Sequence, residues 1–459
     1  MLIQPEKTEN NLRRSQQRIW TIGLIFSQAA EKLSECVKII RMKIIFTQFF
    51  EKIKSLPWLS WIGFFLFVSL MAAGYYYNLT FVQLGLLDLG TGQVGLTRVS
   101  VAWILSLLGV LTCLVSLGFG WWMNQKGWGF ELLFKLRAAF GIVSLQTILT
   151  YLAPGIQSPT GFITWVVFCS FALGIGVPVT FSLAVDLIPR ASRGAAGAWI
   201  TGLAYLGANL LPASWTIEDF SRPLLLLMPI GVLGLGLLAF YPFPWLKDLE
   251  NLGDDPIFSQ GRYIRQVDAR FIALIVLMFG VFFTDSLGFL RLLETPVFMI
   301  NAWQSREIGV RLLIGVVHFL AAVIGGVLYK NLDVRELFFW IFGIFALTHL
   351  ISSFQIRTNA NTVPLAMTIL YAISVSLYTV VNFSLWADLS TPETIGLNAA
   401  LGVSLSGWTA TFLSTALSIW MSGAGIGLER HLNITDAIAM LFFLGLILTG
   451  LFSPRRLEG

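Results

Sequence analysis

The chain has 459 residues, of which 56% are hydrophobic and only 12% are charged, and its mean hydropathy is +0.77. This balance excludes an ordinary soluble domain and predicts an integral membrane protein. The net charge of +5 is typical of a bilayer protein with basic inner loops and does not indicate a nucleic-acid partner.

The N-terminal segment, residues 1–58, is basic throughout and shows no clean apolar core before a small-residue cleavage site, so it is not a signal peptide. Between residues 38 and 54, apolar side chains interleave with lysine and arginine. This pattern predicts one or two helices that lie on the inner membrane surface. For residues 1–17, a disordered basic extension that only sets the topology fits the sequence equally well.

Twelve transmembrane helices are predicted when about 20 apolar residues are taken as one crossing. The spans are 61–82, 99–120, 135–153, 161–185, 194–214, 223–245, 271–290, 309–329, 337–354, 364–386, 396–421 and 434–453. The predicted organisation is a first six-helix bundle over 59–245, a polar central linker over 246–270, a second bundle over 271–453 and a tail over 454–459. Most of the 30 Lys and Arg residues fall on one side of these spans. Both termini are therefore expected on the cytoplasmic side. The membrane is expected to be a plasma (inner) membrane.

One block of sequence occurs twice. "TFSLAVDLIPRASRG" at residues 180–194 is echoed by "NFSLWADLSTPETIG" at residues 382–396, where the fourth span of each half ends and the fifth begins. A weaker echo, from Gly120 and from Gly326, follows the second span of each half. The predicted fold class is therefore an all-α membrane protein with twelve helices in two parallel six-helix repeats.

Twelve helices, two matching halves and a polar linker resemble the major facilitator superfamily over residues 61 to 453. Asp186, Pro189, Arg193 and Gly194 match the acid–proline–RG pattern that this superfamily often carries between helices 4 and 5. The resemblance implies two halves that rock around a midplane site, with a gate on the cytoplasmic side. The gate candidates are Gly120, Asn124, Asp186, Arg190, Arg193, Gly194 and Asp388.

The acid and the arginines of this block can pair with each other and with helix ends, and such pairs would clamp the inner face in one state and release it in another. Alternatively, Arg190 and Arg193 only enforce topology while Pro189 ends a helix. The sequence departs from the superfamily after helix 2, where the usual acidic residue is Asn124 in the first half and Lys330 in the second. This departure indicates either a divergent transporter with another gate or a fold adapted to a role other than transport.

Asp285, in "FGVFFTDSLGF", is the clearest ionisable residue inside a predicted span. A charge in hydrocarbon is unfavourable, so it indicates a proton or cation site, or a contact for a cationic substrate. The alternative is a structural acid paired with Arg291 or Arg98. Arg291 and Glu294 are expected to form a surface salt bridge, and His318 and His349 are expected to be packing histidines rather than proton relays or pigment ligands.

Polar residues at helical spacing predict faces that meet at a substrate cavity for a polar, weakly charged or amphipathic solute. The alternative is that these side chains only hold helices together. The cavity candidates are Asn78 at the end of helix 1, Thr201, Tyr205 and Asn209 on helix 5, and Tyr371, Ser374, Tyr378 and Asn382 on helix 10.

No nucleotide-binding loop and no nucleophile–base arrangement is evident, so neither an enzyme nor a pump driven by ATP is predicted. Three His and three Cys residues indicate neither a metal centre nor a disulfide framework, and no cofactor is expected. The first hypothesis is a secondary transporter whose partners are a small solute, a proton or cation, and membrane lipid. The second is a non-transporting protein on the same fold that binds a pigment or assists a membrane complex. A central cavity reached by Asp285 would favour transport, whereas a packed centre with outward grooves would favour the second.

Overall fold

A computed structural model describes residues 58–211, 216–263, 269–293, 305–357 and 365–449, and this part of the chain is helical, with twelve long helices. The predicted surface helices within 1–57 and the tail at 454–459 lie outside the described residues. The long helices are α1 (Trp58–Gln93), α2 (Arg98–Lys126), α3 (Leu132–Leu152), α4 (Pro159–Ser182, extended by Ala184–Leu187), α5 (Arg193–Leu210), α6 (Ile217–Phe240), α7 (Ala269–Leu293), α8 (Ile308–Asn331), α9 (Val334–Arg357), α10 (Leu365–Asp388), α11 (Ile395–Ala399, Ala400–Thr409 and Ala410–Gly423) and α12 (Leu428–Thr449).

Each predicted span coincides with one of these helices, so the predicted fold class is confirmed. Eight of the described helices are long and apolar enough to cross a membrane. α5 is not among these eight; it is rich in glycine and alanine and is mostly buried by α1, α8 and α10. Small residues let helix backbones approach closely, so this helix is covered by protein more than by lipid.

Two helices contain π-helical turns. These turns are Tyr77–Leu84 and Leu89–Gln93 in α1, and Ala400–Thr409 in α11. In α11 a Cβ at Gly402 would overlap the indole ring of Trp386, so only glycine fits there. Such turns often occur at functional sites. Here they carry Gln83 and Trp408, which line a cavity at the centre of the molecule.

The two halves meet at one end of the bundle, which we name the linker face. It comprises residues 244–263, the C-terminal ends of α4 and α10, and the N-terminal ends of α5 and α11. The linker contains the helix Pro244–Gly253 and the single turn Pro256–Ser259, and both contact the end of α4. The Tyr263 amide donates to the Asp388 carbonyl oxygen at 3.0 Å, which ties the linker to α10.

Glycine crossings join the halves at the linker face. A Cβ added at Gly120 on α2 would lie 2.5 Å from the carbonyl oxygen of Gly396 on α11. A Cβ at Gly194 on α5 would lie 2.9 Å from the carbonyl oxygen of Gly326 on α8. Each crossing therefore pairs a helix of one half with a helix of the other at backbone contact, and together they close this face.

Replacing Gly120 with valine is expected to push α2 away from α11, because the new side chain meets backbone that cannot rotate aside. Overpacking of this kind typically destabilises by about 1–3 kcal/mol. The expected result is a lower midpoint of thermal unfolding in detergent. Gly118→Val is the matched control, since a Cβ at Gly118 meets no atom within 4 Å. Equal midpoints for the two variants would contradict the tight crossing.

Candidate functional site

Asp285 lies on α7 in the centre of the molecule and is buried, with 9% of its surface exposed. Its two carboxylate oxygens accept hydrogen bonds from the hydroxyl groups of Tyr371 and Tyr378, both on α10. It forms no ion pair with a described basic side chain, Arg98 included. The side chain of Arg291, the other basic partner considered, lies outside the described residues, as does Glu294.

The spacing of the two tyrosines explains why both reach one carboxylate. Tyr371 and Tyr378 are separated by two helical turns and therefore share a face of α10. The ring of Tyr378 packs edge-on against Phe282, one turn before Asp285 on α7, with 4.8 Å between centroids, and stacks on Phe345 of α9 at 6.0 Å. Packing of the rings thus holds the hydroxyl groups in place against the carboxylate.

A cavity of about 30 Å³ lies beside this carboxylate. That volume holds about two water molecules. Helices of both halves line it, and aromatic rings predominate. The lining residues are Tyr75, Leu79, Gln83, Tyr205, Phe282, Asp285, Ser286, Tyr371, Val375, Tyr378, Trp408 and Thr411.

A second group of hydroxyl groups joins the halves beside the cavity. The hydroxyl groups of Tyr75 on α1 and Tyr205 on α5 are 2.7 Å apart, and that of Tyr205 is 3.3 Å from Thr379 Oγ1 on α10. The ring of Tyr205 stacks on His318 with 4.4 Å between centroids, and His318 Nδ1 lies 2.9 Å from Ser376 Oγ. His318 is therefore a packed, hydrogen-bonded residue in this structure.

Only Tyr205, Tyr371 and Tyr378 of the predicted cavity residues line this cavity with Asp285. Ser374 is rotated by about 60° from Tyr371 around α10, and its hydroxyl donates to the Ile341 carbonyl of α9 instead. Asn382 lies one helical turn, about 6 Å, beyond Tyr378 along the helix axis, where its Oδ1 accepts from the Trp386 indole.

The three candidates on α5 do not share one face either, because a spacing of four residues rotates each successive side chain by about 40° around the helix. A Cβ added at Gly315 of α8 would lie 3.3 Å from the Asn209 Cβ, so Asn209 is directed at α8. Thr201 is buried, and its hydroxyl has no hydrogen-bond partner among the described residues. Tyr75 and Trp408 also line the central cavity although neither is among the predicted residues. Tyr75 lies only three residues before Asn78, in a tyrosine-rich segment that is a visible signal.

A buried ion pair links the halves at the linker face. Arg193 Nη1 on α5 lies 3.1 Å from Asp388 Oδ1 on α10 and donates to the Ala387 carbonyl at 2.7 Å. The Tyr329 hydroxyl on α8 donates to the second Asp388 oxygen at 2.9 Å. Arg193 also donates to the Phe258 carbonyl of the linker. Two gate candidates are thereby brought together across the halves.

Asp186, the first-half counterpart of Asp388, has a different partner. The Lys135 ammonium on α3 lies 2.5 Å from Asp186 Oδ2 and donates to the Gly129 carbonyl, all within the first half. Arg190 begins a turn of 3-10 helix, Arg190–Ser192, and is partly exposed. Asn124 lies at the α2–α11 crossing, where a Cβ at Gly396 would lie 2.8 Å from its Oδ1. The sequence pattern indicated pairing of Asp186 with the arginines of its own block, whereas in the structure Asp186 pairs with Lys135, 51 residues away, and Arg193 pairs with Asp388 of the other half.

The sequence matches no protein-family model and no curated protein. The structure is similar to that of the human organic anion transporter MFSD10, with a TM-score of 0.56 at 16% identity, covering 84% of this chain and 98% of that one. The xylose transporter XylE from E. coli, in a partially occluded inward-open conformation, gives 0.58 at 15% identity, with 85% and 98% covered. A bacterial homologue of the iron transporter ferroportin, in an outward-facing state, gives 0.55 at 15% identity, with 86% and 100% covered.

XylE is a proton:xylose symporter of the major facilitator superfamily. The chain has the major facilitator fold. With eight described helices able to cross a membrane, it is an integral, multi-pass membrane protein. Identities of 15–16% show the fold alone.

Within this major facilitator fold, a second cavity of about 560 Å³ lies mainly in the first half, among α1, α3, α4, α5 and α6, and Phe383 of α10 with Val403 and Trp408 of α11 completes its lining. Tyr75 and Trp408 line both cavities and form the wall between them. The ring centroids of these two residues are 5.8 Å apart. The centre is therefore small and aromatic, whereas the larger space lies to one side.

The Arg193–Asp388 pair is expected to keep the linker face closed. Removing one partner leaves an uncompensated buried charge, which costs about 3–5 kcal/mol. The test places a cysteine at Ser404, a buried residue of the α2–α11 crossing, in a protein whose native cysteines are replaced by serine. We expect Asp388→Asn to increase the rate at which a maleimide labels this cysteine.

Arg262→Gln is the control, because Arg262 Nε lies 3.9 Å from Asp388 Oδ2, beyond hydrogen-bond distance, and Asp388 keeps its pair with Arg193 in this variant. Labelling of this variant should therefore stay closer to that of the parent than labelling of Asp388→Asn. The double variant Arg193→Gln/Asp388→Asn should be less perturbed than the sum of its single variants. Unchanged labelling in a folded Asp388→Asn protein would contradict the role given to this pair.

Proposed function

We propose that the protein is a secondary transporter that moves a small solute by alternating access, coupled to a proton or cation gradient. The observation that carries this proposal is the isolated carboxylate of Asp285. It is buried between the halves, at a cavity, without a basic partner among the described residues. An ionisable group in the membrane interior costs free energy, so its presence there supports a functional role.

The hydrogen bonds of Asp285 provide a means of coupling. The ionised carboxylate accepts from both Tyr371 and Tyr378. A protonated carboxyl carries a hydrogen on one oxygen, so that oxygen becomes a donor and a weaker acceptor. The hydrogen bonds from the tyrosines then weaken, or one tyrosine hydroxyl reverses to accept. Binding of a proton therefore changes how α7 is attached to α10.

Alternating access requires the linker face to open. The two glycine crossings and the Arg193–Asp388 pair lie between the halves, so rocking of the halves separates all three at once. The small central cavity must widen during this motion before a solute can enter. The distribution of Lys and Arg supports a linker face and two termini on the cytoplasmic side of a plasma (inner) membrane.

The solute is a small molecule whose identity a transport assay must determine. The structural neighbours are transporters of organic anions, xylose and iron. Those classes are therefore the first to test. The lining of aromatic rings and one carboxylate adds organic cations to the panel, because cations bind to aromatic faces.

A non-transporting role is the second candidate, and the size difference between the two cavities favours it. The central cavity measures about 30 Å³, whereas the one at the side measures about 560 Å³. A protein that binds a pigment or assists a membrane complex needs a stable binding site that opens outward rather than a large central cavity. Transport ranks first because packing alone does not require a carboxylate at Asp285.

Replacing Asp285 with asparagine is expected to abolish proton coupling, because the amide keeps the shape but cannot exchange a proton. We would fuse proteoliposomes to a solid-supported membrane electrode and record the charge moved by a pH step, without and with each solute. The charge movement of the parent should be lost in Asp285→Asn and partly restored in Asp285→Glu.

Asp248→Asn is the matched control, since Asp248 is an exposed residue of the linker helix. Its currents should equal those of the parent. Each protein must remain monodisperse on size exclusion. Parent-like currents in a folded Asp285→Asn protein would exclude this carboxylate as the coupling group.

A further inference from the structure

The cavity in the first half, which we name the side cavity, has the size of a ligand site. Its volume of about 560 Å³ lies within the range of about 300–1,000 Å³ typical of small-molecule pockets. α6 packs on α3 and on the second part of α1, whereas α5 packs on α1, α8 and α10. The space remains where α5 and α6 diverge on either side of α1.

The lining of the side cavity is uncharged. No Asp, Glu, Lys, Arg or His is among the residues that line it, and most of them are aliphatic or aromatic. A charged group would lose its hydration there without gaining a partner. The lining therefore fits a neutral, mainly hydrocarbon body. Its few polar side chains include Asn78, Gln146 and Thr180.

The side cavity opens toward the surface of the helix bundle. Leu203 on α5 and Leu227 on α6 line it and are 41% and 55% exposed. Gly231 and Gly234 on α6 also line it, and a Cβ at either would meet no atom within 4 Å. Because these helices span the bilayer, the opening faces hydrocarbon. A ligand therefore arrives from the membrane rather than from water.

Asn78 supplies a polar anchor in this apolar space. It is 8% exposed and lines the side cavity, and its Oδ1, which protein atoms enclose, has no hydrogen-bond partner among the described residues. An unpaired buried amide group is unfavourable, and such groups usually have a partner. A hydroxyl group can both donate to and accept from a side-chain amide, so it can pair with whichever atom of the Asn78 amide faces the cavity. An ionised carboxylate or phosphate would lose its hydration there, with no basic side chain in the lining to compensate.

We propose that the side cavity binds an uncharged amphipathic molecule from the bilayer, with its hydrocarbon body between α1 and α6 and a hydroxyl group hydrogen-bonded to the amide of Asn78. A long-chain or isoprenoid alcohol has this chemistry. The site does not depend on transport, because binding in the side cavity needs no movement of the halves. It does share Tyr75 and Trp408 with the cavity at Asp285, so the bound molecule contacts the wall of the central site.

Photolabelling in phosphatidylcholine nanodiscs tests this site without any flux. The probe is a long-chain primary alcohol with a diazirine in its chain, and crosslinks are mapped by mass spectrometry. We expect saturable labelling of the α1 and α6 segments that line the side cavity, which unlabelled alcohol suppresses. Gly231→Leu and Gly234→Leu fill open space and should abolish it. Gly118→Leu is the matched control, since Gly118 also has open space but lies on the exposed side of α2.

The alkane of the same chain length tests the anchor, because it forms no hydrogen bond. It should compete about tenfold more weakly than the alcohol, and in Asn78→Leu the alcohol should lose this advantage. Uniform labelling of membrane-facing helices that no competitor suppresses would mean bulk-lipid contact only and would overturn the proposal. Equal competition by alkane and alcohol in the parent would overturn the anchor. Asp285→Asn should retain the labelling, so failure of coupled transport and failure of this site remain distinguishable.

Discussion

The close approach of helix backbones at glycine is the constraint on which this structure depends. In a bilayer each helix satisfies its own backbone hydrogen bonds, so packing between helices decides the arrangement. The crossings of Gly120 with Gly396 and of Gly194 with Gly326 bring the halves to backbone contact. Arg193 directly precedes one of these glycines, so the same approach delivers its guanidinium to the neighbouring half. The ion pair with Asp388 is thus a consequence of the crossing as well as a support for it.

The buried carboxylates at the linker face and at the centre of the molecule have different kinds of partner. At the linker face, Asp186 and Asp388 each have a basic partner, Lys135 within one half and Arg193 between halves. At the centre, Asp285 has two tyrosine hydroxyl groups and no described basic partner. An ion pair holds two elements together in one protonation state, whereas a carboxylate held by neutral donors can change its charge without leaving a cation unpaired. The linker face is therefore suited to structure and the centre to proton exchange.

The fold could be read from the sequence because hydropathy is a local signal and because the repeat at an offset of 202 residues is visible when the two halves are aligned. Asp285 stood out for the same reason, as a single charge in an apolar span. Its surroundings did not follow from spacing, because a shared helical face says nothing about the neighbour that covers it. Ser374 was predicted on the same face of α10 as Tyr371, yet its hydroxyl contacts α9. Trp408 reaches the centre through a π-helical turn, which no periodicity of an ordinary α-helix indicates.

Tyr75 connects the parts of the molecule that the sequence kept separate. Its hydroxyl bonds to that of Tyr205, and its ring packs against Trp408 on one side and Phe383 on another. The same ring borders both the central cavity and the side cavity. A rigid aromatic ring cannot yield on one face without moving on the other. Any molecule that displaces Tyr75 from the side cavity must therefore alter the hydroxyl network beside Asp285, whether or not the halves rock.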